Sequence, residues 1–187
     1  AKKAGPAGTV VAVEPQRTAV QLLAQTMRAN QLDSVRVLHA CAGERDGFAW
    51  VPSVDLAEHQ NLGAVIPESR DDDATSNVRV VALDALDVTN VALLKIDVEG
   101  AEALVLAGAT RIIERDHPVI SFEANTLESA ADAFRWVRAR GYRTWLHRAP
   151  AWNPNNHAGN VENTFGFATE TNVLAIPEGR VPVDLDS

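Results

Sequence analysis

The residues best suited to chemistry in this chain are carboxylates at the ends of apolar runs. Asp97, Glu99 and Glu102 bracket Gly100, directly behind the run from Val91 to Ile96. Glu123 closes a second run that begins at Val119, and Glu14 closes a third that begins at Thr9. In an open α/β sheet, ligands bind where the carboxyl end of a strand leads into a helix. A carboxylate there can take a proton from a reacting group, accept hydrogen bonds from hydroxyls, or help hold a cation. Glu14 fits the place where nucleotide-binding α/β folds put an acidic residue against ribose hydroxyls. A plainer reading covers part of the acidity, since Glu99 and Glu102 also suit the positive end of a helix. It leaves out Lys95, which stands inside an apolar run and needs a partner wherever it is buried.

The elements that must position these groups follow from periodicity. Val91 to Ile96 reads as a strand covered on both faces, because a short, nearly unbroken apolar run is how a central parallel strand looks. Thr9 to Val13 is a β-branched strand, and Pro15 suits the first turn of a helix over Arg17 to Asn30 carrying Val20, Leu23 and Met27 on one stripe. Val35 to Ala40 is the next strand, with a turn at Gly43 to Gly47 leading into Phe48 to Val51. Pro52 to Asn77 is a long irregular connection containing the acidic run Asp71 to Asp73. Val78 to Leu83 returns to strand character, with Asp84 as the N-cap of a short turn.

A helix over Ala101 to Arg115 comes next, with Gly108 placed for close packing, and His117-Pro118 ends it. Val119 to Glu123 is a buried strand. Asn125 and Glu128 form a capping pair for a helix that runs to Gly141. Tyr142 to Leu146 and Asn172 to Ile176 are the last strands, separated by a Pro/Asn-rich loop from Ala149 to Thr164. Strand and helix alternate without a linker. The expectation is a single α/β domain over residues 1–187, with a mostly parallel, doubly wound sheet and an antiparallel C-terminal edge.

Composition narrows the function classes. At 187 residues and a formal net charge of −8, the chain carries no Lys/Arg block, which argues against nucleic acid and anionic membrane surfaces as partners. No apolar stretch approaches the roughly 20 residues a membrane span requires. Cys41 is the sole cysteine, which suits a reducing, cytoplasmic setting and is most simply a small buried hydrophobe. Of the tryptophans, Trp136 and Trp145 read as packing residues, whereas Trp50 and Trp152 stand beside irregular loops and can line a pocket.

Read together, these strings resemble the FkbM family of S-adenosylmethionine-dependent methyltransferases. The residues that carry the resemblance are Val10-Val-Ala-Val-Glu-Pro15, Ala42-Gly43, Leu83-Asp-Ala-Leu86 and Leu94-Lys-Ile-Asp-Val-Glu-Gly-Ala-Glu102. Val105-Leu-Ala-Gly-Ala109 and Pro118-Val-Ile-Ser-Phe-Glu123 complete the set, in order. The resemblance implies a Rossmann-like methyltransferase fold with S-adenosylmethionine as cofactor and S-adenosylhomocysteine as product. The acceptor it implies is a small-molecule hydroxyl, on a sugar or polyketide-like compound. Glu14 and Pro15 would serve the cofactor's ribose, Cys41 and Ala42 would flank the adenine, and Asp97 would sit nearest the reacting centre. Asp97 or Glu123 would remove the acceptor's proton. Glu99, Glu102, Asn125 and His157 would contact the acceptor, with His157 also a second choice of base.

The family pattern begins with a strand ending in an Asp-x-Gly-x-x-x-Gly-like loop about 20 residues before the ribose carboxylate. Glu14 has only 13 residues before it, and Gly5 to Gly8 reads as a turn, so the expectation is a member without that first strand and glycine-rich loop. Uncovered strand edges make strand-mediated pairing into a homo-oligomer the expected form of self-association.

Asp97, Glu123 and Asn125 also resemble the oxygen-ligand cluster of divalent-metal-dependent O-methyltransferases. The competing reading is an ion pair of Lys95 with Asp97 or Glu123 inside the sheet. Two alternatives to the methyltransferase stand beside it. One is a truncated scaffold without cofactor binding. The other is a nucleotide-sugar oxidoreductase, which needs a Tyr-x-x-x-Lys pair, and Tyr142, the one tyrosine, lacks that lysine.

Overall fold

The computed structural model describes residues 2–5, 7–52, 67–70, 77–124, 127–156 and 159–180. Asn125, His157 and the acidic run Asp71 to Asp73 lie outside the described residues, as does most of the Pro52 to Asn77 connection. The chain forms two units, Ala1–Leu86 with Ala107–Ala109, and Asp87–Leu106 with Thr110–Ser187.

In the first unit β1 (Val10–Glu14) and β2 (Val35–His39) lie parallel, joined by helix α1 (Arg17–Ala29). Their register runs from Val10 opposite Val35 to Glu14 opposite His39. The stripe of Val20, Leu23 and Met27 is half-buried, and no residue of α1 is fully covered. Pro15 precedes the cap residue Gln16 and so stands just outside the first turn in which the sequence places it. The Gly8 N–H donates to the Gly5 carbonyl at 3.3 Å, the turn expected there.

The chain then enters β3 (Cys41–Gly43), a strand that its three short residues do not announce. With β4 (Gly47–Trp50), β5 (Glu68–Arg70) and β6 (Val78–Ala82) it forms a sheet ordered β3-β6-β4-β5. β3 runs parallel to β6, whereas β4 is antiparallel to both β6 and β5. Cys41, Ala49, Val51 and Val78 are the buried cluster of this sheet, with Val80 packed against it. Cys41 is thus the buried hydrophobe the composition suggests.

Asp84 is not the N-cap expected of it. The short 3-10 turn covers Leu83–Ala85 and is capped by Ala82, so Asp84 sits inside it. Its backbone N–H, free at the start of the turn, donates to the Gly108 carbonyl at 2.8 Å, which meets the need a side-chain cap would have met. Gly108 has a second role. A Cβ added there would collide with the Gly43 carbonyl oxygen and come within 3.1 Å of the Glu44 oxygen. Close backbone approach, rather than any special dihedral, is what requires glycine at this position.

In the second unit β7 (Leu93–Ile96), β8 (Val119–Glu123), β9 (Tyr142–Pro150) and β10 (Thr169–Pro177) form a sheet ordered β7-β8-β10-β9. β7 and β8 are parallel, and β10 is antiparallel to both β8 and β9. The antiparallel strand is therefore inserted beside β8, and β9 takes the edge. Residues opposite one another share a face, so Ile96, Phe122 and Val173 form one buried row across three strands. Ala175 lies against Ile120 in the next buried pair.

Two expectations about this unit need correction. β7 is not covered on both faces: Ile96 is buried, but Leu93 is 61% exposed and Lys95 is exposed as well. Among the described residues β7 pairs with β8 alone, so its outward face alternates into solvent. The helix expected over Ala101 to Arg115 is two, α2 (Glu102–Ala107) and α3 (Thr110–Asp116), interrupted at Gly108 and Ala109. The Gly108 contacts already described take that backbone out of a continuous helical ladder.

The end of α3 is tied down by Asp116, whose carboxylate accepts the Val91 N–H at 2.9 Å. The Arg115 guanidinium beside it holds that carboxyl at about 2, well below its usual range. Helix α4 (Leu127–Arg138) buries Ala130, Ala133 and Val137, and Gly141, at φ 75°, turns the chain into β9.

Replacing Gly108 with alanine is expected to lower stability by about 1–3 kcal/mol, because a Cβ there meets backbone that cannot move aside. Gly43→Ala meets only the Val80 Cγ1 at 2.7 Å and should cost less, since a side chain can shift. Urea midpoints of the two variants give the comparison, and equal midpoints would contradict the backbone contact.

Candidate functional site

In the first unit Glu14, Pro15, Cys41 and Ala42 are brought together by the parallel pairing of β1 and β2. Glu14 stands at the carboxyl end of β1, and its carbonyl accepts the Ala40 N–H at 3.2 Å as the chain leaves β2 for β3. That bond brings Cys41 close enough to the Glu14 carboxylate for its charge to act on the thiol. Burial, and secondarily the Glu14 charge, pushes the Cys41 thiol up to about 11. The thiol is therefore uncharged at neutral pH. One carboxylate oxygen of Glu14, Oε1, accepts the backbone N–H of Gln16 at 2.6 Å, which anchors the start of α1. Oε2 has no donor among the described residues.

Gln16 and His39 are the residues that sequence reasoning passed over here. Gln16 is buried, and its Nε2 donates to the Pro52 carbonyl at 3.3 Å. The His39 Nε2 donates to the Pro15 carbonyl at 3.0 Å, closing the strand-to-helix corner from the side. The available signal is a glutamine directly after Glu-Pro, at the start of the helix.

In the second unit Val98 to Ala101 forms a tight turn. Glu99 has φ 49° and Gly100 φ 96°, and the Ala101 N–H donates to the Val98 carbonyl at 3.3 Å, the pattern of a type I′ turn. Glu102, only 3% exposed, turns its Oε1 back to accept the Gly100 N–H at 3.1 Å. Its carboxylate braces the turn that carries Glu99. Lys95 finds its partner in Asp97, at 2.7 Å from Nζ to Oδ2. The pair is not inside the sheet as expected, since the two side chains are 54% and 56% exposed. A pair so exposed contributes about 0–1 kcal/mol, so its effect is on where Asp97 points rather than on stability.

β7 and β8 end side by side. Ile96 lies opposite Phe122, so Asp97 and Glu123 are the next residues along two neighbouring parallel strands. Glu123 also lies opposite Asn172 of β10. Among the described residues no group of three His, Cys, Asp or Glu side chains converges as a metal ion would need. Trp50 is exposed on β4, whereas Trp152 is half-buried with its Nε1 lacking a hydrogen-bond partner. No described helix is long and apolar enough to cross a membrane.

The Cys41 shift carries a pH prediction. The folded-state value is raised from 9.0 to about 11, so the stabilisation is fully present below pH 9 and is lost as pH rises through 11. Burial raises Tyr142 likewise, from 10.0 to about 12. Unfolding free energy should therefore fall above pH 9, at first by about 1.4 kcal/mol per pH unit. Cys41→Ala should remove the fall between pH 9 and 10, and an unchanged profile in urea titrations would show that Cys41 is not its source.

A family model described as the methyltransferase FkbM domain matches residues 1–144. No curated protein matches the chain. Its fold is similar to the crystal structure of methyltransferase FkbM from Methylobacillus flagellatus KT, with a TM-score of 0.56 and 17% sequence identity. That similarity covers 89% of this chain and 36% of the other, so this chain spans little more than a third of that protein. What the two share is an α/β fold with mixed sheets. Through the family model, which covers most of its length, the chain belongs to the FkbM methyltransferase family.

Proposed function

We propose that the chain forms the methyl-transferring domain of an S-adenosylmethionine-dependent O-methyltransferase whose acceptor is a hydroxyl on a small molecule such as a sugar or polyketide. The observation that carries the reading is the Glu14 carboxylate. It stands at the carboxyl end of a parallel strand, with Oε1 held by Gln16 and Oε2 open among the described residues. That arrangement fits a ribose diol, which needs an oriented acceptor. Cys41, uncharged and buried, fits an adenine edge, with the Ala42 backbone beside it. In this reading residues 1–187 are one Rossmann-like domain. The glycine-rich loop of the family pattern, matched by no segment of this sequence, would come on a strand pairing with β1.

When bound, the cofactor supplies an electrophilic methyl group. The protein's own work is orientation and proton removal. Asp97, with one oxygen on Lys95 and the other open, would hold the acceptor hydroxyl and take its proton. Glu123, ending the neighbouring strand, is the second candidate base. Glu99, presented by the tight turn that Glu102 braces, would contact the acceptor, and Asn125 and His157 are assigned to the same side. A cytoplasmic setting and a homo-oligomer complete the reading.

A second reading, a methyltransferase-like scaffold that binds no cofactor, is favoured by one observation. The Asp97 and Glu102 carboxylates are already engaged by this chain's own Lys95 and Gly100.

Calorimetric titration with S-adenosylhomocysteine separates the two. Micromolar binding by the chain supports the first reading; no binding, with recovery once a glycine-loop strand is added, supports the second. Glu14→Ala should weaken binding by roughly 1–3 kcal/mol, and an unchanged affinity removes Glu14 from the site. Asp97→Asn should slow methyl transfer to sugar acceptors by about 10²–10⁴-fold while leaving S-adenosylhomocysteine affinity intact. Full activity in that variant would rule out Asp97 as the base.

A further inference from the structure

Gln16 and Glu102 are the buried polar side chains among the described residues, and the type of Gln16 is not explained by its place in α1. It is the N-cap, a position that favours Asn, Asp, Ser and Thr, and its side chain makes no capping hydrogen bond. A buried amide is costly unless its polar atoms are bonded. This one reaches away from the helix, and its Nε2 donates to the Pro52 carbonyl at 3.3 Å.

Pro52 follows a residue that is firmly held. The Asn77 Oδ1 accepts the Val51 N–H at 2.8 Å, and its Nδ2 donates to the Val51 carbonyl at 2.7 Å. Val51 directly follows β4 and Asn77 directly precedes β6, so both ends of this clasp belong to one sheet. On the other side of the amide, the Gln16 backbone N–H donates to Glu14 Oε1 at 2.6 Å. Printed bond by bond, a contiguous line runs from that sheet through Asn77, Val51, Pro52 and Gln16 to the Glu14 carboxylate.

The N–H in question belongs to the peptide between Pro15 and Gln16. His39 holds the carbonyl of the same peptide at 3.0 Å. One anchor leaves a peptide plane free to rock about it; the Gln16 side chain, fixed to Pro52, removes that freedom at the other end. Glu14 is only half-buried, so without a steady donor its carboxylate would exchange among rotamers.

We propose that Gln16 is a positioning residue for Glu14, its side-chain amide holding the backbone N–H that orients the carboxylate before a diol arrives. The inference rests on the reading in which Glu14 receives the ribose of S-adenosylmethionine. It adds the device that spares that contact an ordering cost on association.

The test uses the whole chain and Gln16→Met, which keeps the length of the side chain and removes its donor. Without any ligand, the backbone amide proton of position 16 reports the bond to Glu14 by nuclear magnetic resonance. In the wild type it should lie downfield and move upfield as acid protonates the carboxylate; Gln16→Met should shrink that movement. Gln16→Asn, which keeps an amide too short to reach Pro52, should do the same. An undiminished movement in both variants would overturn the proposal. In calorimetry, Gln16→Met should weaken S-adenosylhomocysteine binding roughly three- to tenfold. The double variant Gln16→Met/Glu14→Ala should bind no more weakly than Glu14→Ala alone, because the effect of Gln16 runs through Glu14. Unchanged affinity in Gln16→Met, or losses that add in the double variant, would equally overturn it. Failure of the wild-type chain to bind would count against the methyl-transfer reading, and the ligand-free amide signal would still decide whether Gln16 holds the carboxylate.

Discussion

The first unit depends on two stretches of backbone lying nearly in contact. Gly108 rests against Gly43 with no room for a Cβ, and the same residue gives its carbonyl to the Asp84 N–H. Much follows from that approach. The 3-10 turn at Leu83–Ala85 needs no side-chain cap because Gly108 supplies the acceptor. The helix expected over Ala101 to Arg115 cannot run through a residue whose backbone is committed elsewhere, and it divides into α2 and α3. β3, three residues long, is held in place from two sides, by its ladder to β6 and by this contact. Buried Cys41 begins β3, so the position of this strand depends on a glycine more than sixty positions along the chain.

A common economy runs through the carboxylates at the strand ends. Each has a structural task. Glu14 gives one oxygen to the Gln16 N–H, Asp97 gives one to Lys95, and Glu102 gives one to the Gly100 N–H. The tasks differ in consequence. Glu102 is buried with Oε1 on its own turn, whereas Glu14 and Asp97 are less buried and keep a second oxygen open among the described residues. A carboxylate fixed through one oxygen and open at the other is oriented before any ligand arrives, which is how a binding group avoids an ordering cost on association.

Much of this could be read in advance, and what could not be read has physical reasons. Val119–Glu123 is the expected strand residue for residue, because its apolar content and flanking Pro118 leave no competing period. Lys95 illustrates the opposite case. An apolar run with one lysine is compatible with a buried strand and a buried ion pair, and also with a half-open strand whose lysine faces water. Which of these holds depends on which strands lie beside β7, and strand pairing is non-local. β3 was missed because Cys-Ala-Gly has no period to detect. It is a strand only because Val80 to Ala82 lie alongside it.

Local sequence carries most of the strands and helices, the family strings, and the carboxylates at the strand ends. These depend on local period and on short strings such as Leu94 to Glu102, which contacts elsewhere in the chain do not alter. Tertiary structure alone decided how those carboxylates are used. Whether Glu102 faces a ligand or its own turn, and whether Asp97 pairs inside the sheet or at the surface, depends on side-chain direction and strand neighbours. The same holds for a cleft around Tyr142, whose residues come from α4, β9 and the turn after β10. Their juxtaposition exists only once the sheet order β7-β8-β10-β9 is formed, because Pro177 then lies opposite Tyr142.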